Sequence, residues 1–275
     1  MRGMVLMISF GALLLVAGGA QARSQATTIR ISAVMTAADE VPAPRGDVSG
    51  ARGTFTATLE KAASGATMTW RLEFSNLTGP AVAAHVHVAA RGTPGPVRVP
   101  LCAPCTSGAT GSANVTEEVV DAIQTDRAYV NVHTQQNAPG EIRDQVARVA
   151  NVRNTLTARQ EVPRPKGKVN RARATFTATV AKTGDDGTIA WRLTFSRLTG
   201  RAVAAHIHRG LRGKAGPVIV PLCAPCRNGA RGTAQVSAAV LSALESGRAY
   251  VNVHTRRNAP GEVRAQIAAL ALTLN

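Results

Sequence analysis

The chain has 275 residues, of which 45% are hydrophobic and 3% aromatic, with 32 basic against 16 acidic side chains. That composition belongs to a globular protein and leaves room for one large domain or two of ordinary size. With so few aromatics, Ala, Val and Leu must build the core, and Trp70 and Trp191 are its expected large anchors.

From the N-terminus, Arg2 gives a positive start, Met4–Val16 is apolar, and Ala20-Gln21-Ala22 places small residues where a signal peptidase reads. Residues 1–22 are therefore expected to be a cleavable signal peptide, with an uncleaved anchor as the alternative. Export to a periplasmic or extracellular space follows, with a soluble mature chain starting near Arg23 and no later stretch suited to crossing a bilayer.

Strands are expected next at Thr54–Leu59 and Thr67–Phe74, rich in Thr, β-branched and aromatic residues and joined as a hairpin through Ala63-Ser64-Gly65-Ala66. Further strands are expected at Ala81–Val88, Pro96–Leu101, Ala128–Thr134 and Glu141–Val146. Thr116 followed by Glu117 and Glu118 reads as the capped start of a short helix. Its later counterpart, Ser237–Glu245, ends before Gly247. Many short strands between Gly- and Pro-containing turns indicate an all-β fold of antiparallel sandwich type.

The pattern then repeats. Glu40-Val41-Pro42 returns as Glu161-Val162-Pro163, Trp70-Arg71-Leu72 as Trp191-Arg192-Leu193, and Tyr129–Thr134 as Tyr250–Thr255, always 121 residues on. A period this long means tandem domains rather than a solenoid. The expected division is 23–146 and 147–275, with almost no linker, so that the copies pack closely.

All six histidines fall into the repeat: His85, His87 and His133 in copy one, His206, His208 and His254 in copy two. Alternation along a strand puts His85 and His87 on one face and Val86 on the other. Val130 and Val132 likewise leave Tyr129, Asn131 and His133 opposite them. Two imidazoles at i and i+2 plus a third from a neighbouring strand suit copper or zinc, one ion per copy. The rival reading is a hydrogen-bonded histidine cluster that holds no metal.

His85-Val86-His87 with Gly95-Pro96-Val97, Tyr129-Val130-Asn131-Val132-His133-Thr134 and Pro139-Gly140-Glu141-Ile142-Arg143 resembles the CHRD domain, the module named after chordin. Copy two repeats the match through His206-Ile207-His208, Tyr250–Thr255 and Pro260–Arg264. The resemblance implies extracellular β-sandwich modules. Chordin's cysteine-rich regions are missing, so its antagonism of growth factors does not carry over. A more distant likeness is to the copper/zinc superoxide dismutases, which hold copper through a His-x-His strand and a later histidine and place an arginine beyond it. Here the fourth, bridging histidine is lacking, which argues against their redox turnover. An immunoglobulin-like sandwich is the other form the fold class allows.

Cys102-Ala103-Pro104-Cys105 and Cys223-Ala224-Pro225-Cys226 are expected as two local disulfides, given an oxidising compartment. A thioredoxin-like pair lacks its βαβ setting, and a zinc site shared by all four cysteines needs the two loops to meet. Glu141, Arg143 and Gln145 alternate with Ile142 and Val146 to form a polar face, repeated at Glu262 and Arg264. Each set is expected to form a polar ladder that includes a carboxylate–guanidinium pair.

Charge divides the copies. Residues 23–146 carry 10 basic and 11 acidic side chains, and residues 147–275 carry 21 and 5. Part of the excess flanks the second histidine set, at Arg209, Arg212, Lys214, Arg256 and Arg257. This surface suits anionic polysaccharide or lipid headgroups, with nucleic acid the weakest candidate because few aromatics are present to stack on bases. A solvated basic face is the bland alternative. Taken together, the expectation is an exported, non-enzymatic binding protein. A copper-dependent oxidoreductase and a metal-free structural envelope protein are the alternatives.

Overall fold

A computed structural model describes residues 28–274; the expected signal peptide lies outside the described residues. Period-two burial sets the strands. In β1 (Thr28–Thr36) Ile29, Ile31, Ala33 and Met35 are buried, and in β2 (Arg52–Lys61) Phe55, Ala57 and Leu59 face inward while threonines face out. The hairpin continues into β3 (Ala66–Ser75), and β4 (Ala81–Val88), β5 (Val97–Cys102) and β6 (Ala109–Val115) follow. After α1 (Glu117–Gln124) come β7 (Ala128–Thr134) and β8 (Ile142–Gln145). Pairing is antiparallel throughout: β1-β2-β3-β6 make one layer and β5-β4-β7-β8 the other, the two joined at an edge where Thr36 of β1 pairs with Arg143 of β8. Between them lies one core, with Phe55, Leu59, Met68, Leu72, Val130 and Ile142 wholly buried.

Copy two repeats the plan with β9 (Ala147–Thr157), β10 (Arg173–Thr183), β11 (Asp186–Ser196), β12 (Ala202–Arg209), β13 (Val218–Cys223) and β14 (Ala230–Val236). Then come α2 (Ala238–Glu245), β15 (Ala249–Thr255) and β16 (Val263–Ile267) around a second core. The all-β tandem architecture expected from the sequence is what forms. Each helix buries one apolar face, Val119, Val120, Ala122 and Ile123 in α1. The expected Thr116 cap is corrected, because its hydroxyl makes no capping bond. Glu117 instead accepts the Gly65 N–H at 2.8 Å and pairs with Lys61. No helix of the described residues is long and apolar enough to cross a membrane.

The copies join edge to edge. β1 and β9 pair antiparallel through Arg30↔Val149, Ile31↔Arg148 and Ser32↔Ala147. The outer sheets thereby fuse into one, β6-β3-β2-β1-β9-β10-β11-β14. Arg148 is buried at this seam, where its guanidinium donates to the carbonyls of Leu272 and Gly184. Leu274 packs into the core of copy one and Leu272 into that of copy two, so the C-terminal segment ties the two together.

Both local disulfides form, Cys102–Cys105 and Cys223–Cys226, with Cα separations of 5.2 and 5.1 Å.

Candidate metal centre

Strand alternation builds the site on the outward face of the second sheet. Val86 enters the core while His85 and His87 point away from it. Across β7 the register sets His87 opposite Tyr129, His85 opposite Asn131 and Ala83 opposite His133. One row further, Asn131 faces Arg143 on β8. This polar face is not open to water. Loops cover it, so that His87, His133, Asn131 and Arg143 are buried and His85 is half-exposed.

The three imidazoles converge. His85 Nδ1 lies 3.0 Å from His133 Nε2, and one nitrogen from each ring falls within 4.8 Å of the others. Two backbone carbonyls fix the tautomers: His87 Nδ1–H donates to Gly95 at 2.9 Å and His133 Nδ1–H to Ala138 at 2.9 Å. Each ring therefore turns the lone pair of Nε2 toward the cluster: that of His133 accepts the His85 Nδ1–H, while His87 Nε2 is buried without a protein partner. Gly95 is required for the first clamp, because a Cβ there would lie 2.3 Å from the Val88 carbonyl oxygen. Burial, followed by repulsion from His133 and His87, pushes His85 down to about 4, and burial also lowers His87 and His133. Neutral imidazole, the metal-ligating form, is thus the ordinary state of the cluster.

Copy two reproduces this closely. His206 Nδ1 lies 3.1 Å from His254 Nε2, His208 donates to Gly216 at 2.9 Å and His254 to Ala259 at 2.8 Å. His206 is again pushed down to about 4 by burial.

A second layer holds the clamps. Tyr129 stacks on His87 at 4.8 Å between centroids, while its hydroxyl accepts the Gly95 N–H. Arg143 lies over the Tyr129 ring at 3.4 Å and donates to the Thr93 and Ala90 carbonyls. Glu141 receives the Thr78 N–H, the Thr78 and Thr134 hydroxyls and the Asn137 amide, which pins the loop that presents Ala138. Burial alone would raise its carboxyl, but those four donors together hold it below the usual carboxylate range.

The expected Glu141–Arg143 pair is therefore corrected, as is its counterpart Glu262–Arg264. Glu262 binds Thr199, Thr255 and Asn258, and Arg264 lies on Tyr250. The physical reason is loop closure: the covering loops offer each residue nearer partners than its neighbour along the strand.

Sequence reasoning missed Glu40 and its counterpart Glu161. Glu40 is buried behind Asn131, and Oε1 accepts the Val41 N–H at 3.0 Å while Oε2 has no partner of good geometry. Burial, opposed in part by that bond and by Arg143, pushes its carboxyl up to about 7. The signal was the unchanged Glu-Val-Pro in both copies.

Of the charged residues expected around the second site, Arg209 ends β12 and the other four lie on its covering loops. Arg212, Lys214, Arg256 and Arg257 are exposed, and Arg209 reaches the Ala239 carbonyl.

Two fused antiparallel sandwiches, each with a cluster of three histidines over one sheet, two of them clamped by backbone carbonyls, define a β module in tandem. The sequence profile of the CHRD domain matches residues 31–146 and 152–267, and the chain belongs to that family. No curated protein and no solved structure gives a significant match.

Proposed function

We propose that the protein is an exported binding module in which each copy holds one copper or zinc ion. The ligands are His85 Nδ1, His87 Nε2 and His133 Nε2, and in copy two His206, His208 and His254 through the same atoms. The observation that carries this reading is the pair of backbone clamps, Gly95 on His87 and Ala138 on His133. A cluster serving the fold alone accounts for the His133 lone pair, which accepts from His85, but not for the buried, unpartnered lone pair of His87 aimed at the same point, and metal-binding histidines are oriented in this manner. Bound there, the ion supplies a Lewis-acidic centre and, if it is copper, a redox one. The protein's own residues hold the rings neutral, orient them and limit water access.

Export is supported by the two disulfides and by membership of the family. The binding role is favoured over a dismutase-like oxidoreductase by the placement of Arg143. Its guanidinium is spent on the Tyr129 ring and on two carbonyls, and so is not presented to an incoming anion. The basic second copy directs the module toward anionic partners.

Metal analysis after loading and dialysis tests the reading. About two equivalents of copper or zinc should be retained by the native chain, about one by His87→Ala, and none by His87→Ala with His208→Ala. Retention below about a tenth of an equivalent by the native chain overturns it.

A further inference from the structure

The fused outer sheet carries charge in an arrangement that the strands alone do not stabilise. On its solvent face, on the far side of each sandwich from the histidines, the register lines up Arg153, Thr177, Arg192 and Arg231 across β9, β10, β11 and β14. Arg192 and Arg231 are directly opposed, and like charges in that relation are destabilising. None of these three arginines takes part in the ion pairs or side-chain hydrogen bonds of the described residues, whose pairs involve Arg71, Arg91, Arg98, Lys61 and Lys182.

Copy one shows the compensated form of the same row. It reads Ser32, Thr56, Arg71, Thr110, and the single guanidinium pairs with Glu73 at 2.7 Å. In copy two the position of Glu73 is Thr194, while Ser32 and Thr110 have become Arg153 and Arg231. Two cations have been added and the counter-ion removed on a sheet whose backbone pairing is the same.

A shallow trough of about 670 Å³ runs over this row, lined by Asn151, Thr177, Thr179, Arg192, Arg231 and Thr233. Its neighbour on copy one, about 510 Å³, is lined by Ser32, Thr56, Thr69 and Thr110 together with Arg30 and Arg71, the latter paired with Glu73. Both troughs include Asn151, so they meet across the β1–β9 seam.

We infer that this face binds an extended anionic polysaccharide, with a sulfate or carboxylate seated between Arg192 and Arg231 and sugar hydroxyls along the threonines. The inference rests on the anionic-partner reading of copy two and moves its site away from the histidine rim. Guanidinium forks match oxyanions, and hydroxyl and amide side chains match sugar hydroxyls. Nucleic acid fits less well because the one aromatic ring lining the trough, Trp191, is buried, with 7% of its surface exposed, and leaves little face for a base to stack on. A bilayer fits less well because Leu211 and Val218, the exposed large apolar residues of copy two, lie off this face.

The test uses the full chain and a heparin oligosaccharide at low salt, with dextran as the uncharged control. Arg192→Thr with Arg231→Thr should weaken heparin binding about tenfold or more. Restoring the copy-one residues at the rim (Arg209→Val, Lys214→Thr, Arg256→Gln, Arg257→Gln) should change it less than about threefold. Because a repulsive pair is removed, the trough variant should melt no lower than the native chain. Phenylglyoxal footprinting of the native protein gives a readout that needs no variant: heparin should protect Arg192 and Arg231. Unchanged affinity in the folded trough variant, or equal modification with and without heparin, overturns the inference. If binding is lost only in the rim variant, the anionic-partner reading survives and this site does not. If native protein ignores heparin altogether, both fail. Equally tight, trough-dependent binding of acidic phospholipid vesicles overturns the polysaccharide assignment.

Discussion

Replacing Glu40 with Gln should make copy one more stable at alkaline pH and leave it nearly unchanged in acid. The carboxyl is buried and pushed up to about 7 from the ordinary 4.5, chiefly by loss of water. A carboxyl raised in the folded state contributes stability below the unfolded value, and that contribution is lost as pH climbs from 4.5 through 7. At 1.36 kcal/mol per pH unit, the difference amounts to at most about 3 kcal/mol per copy. Gln keeps an oxygen for the Val41 N–H and removes the charge. Its amide nitrogen takes the place of Oε2, which has no partner of good geometry. The histidines work in the opposite direction, since their lowered values cost stability as pH falls from 6.5 toward 4. Their effect is common to both proteins and cancels in the difference. Urea denaturation of native, Glu40→Gln and Glu161→Gln protein at pH 5 and pH 8 measures it. The Gln variants should gain at pH 8 relative to pH 5. A loss at pH 8 would show that Glu40 is ionised and held by Arg143, and would refute the reasoning.

Gly111→Ala should destabilise copy one by about 1–3 kcal/mol, because its Cβ would fall 2.5 Å from the Trp70 ring. The Gly232→Ala change should cost less, the approach to Trp191 being 2.9 Å, and thermal melts of the two variants check the order. Glu141→Gln should cost copy one about 2–4 kcal/mol, since an NH2 group would meet hydroxyl and amide donors now served by a carboxylate. Chemical denaturation measures that loss, and the native metal content should fall with it as the loop carrying Ala138 loosens. Replacing both Cys102 and Cys105 with Ala should cost about 2 kcal/mol or less, because the loop closed is short.

The histidine clusters were legible because two facts suffice: strand alternation puts residues i and i+2 together, and a duplicated chain repeats what it needs. Strands Ala81–Val88 and Ala128–Thr134 emerge with the bounds read from sequence. β6 was not read, since Ala109, Gly111 and Ala113 are too small to signal an inward face, although Gly111 leaves room for Trp70. β1 was not read either, and with it the seam to β9, because strand pairing between copies leaves no local pattern. The partners of Glu141 and Arg143 depend on how the covering loops close. Strand alternation places both side chains on one face but says nothing of the carbonyls and hydroxyls that reach them from residues 78, 90, 93 and 137. The charge row on the outer sheet was hidden for a similar reason. Arg153, Arg192 and Arg231 are far apart in sequence, and only the register brings them into line.

The duplication has kept one site and let the other diverge. Both histidine clusters and their carbonyl clamps agree to within about 0.1 Å in hydrogen-bond length, whereas the outer faces differ by several charges. A metal-loaded crystal structure with anomalous scattering at the copper or zinc edge tests the central claim most directly. The account predicts one strong peak per copy, contacted by Nδ1 of His85 and Nε2 of His87 and His133, and by the same atoms of His206, His208 and His254. Protein that takes up metal with no peak at either cluster, or with peaks ligated by other residues, would contradict it.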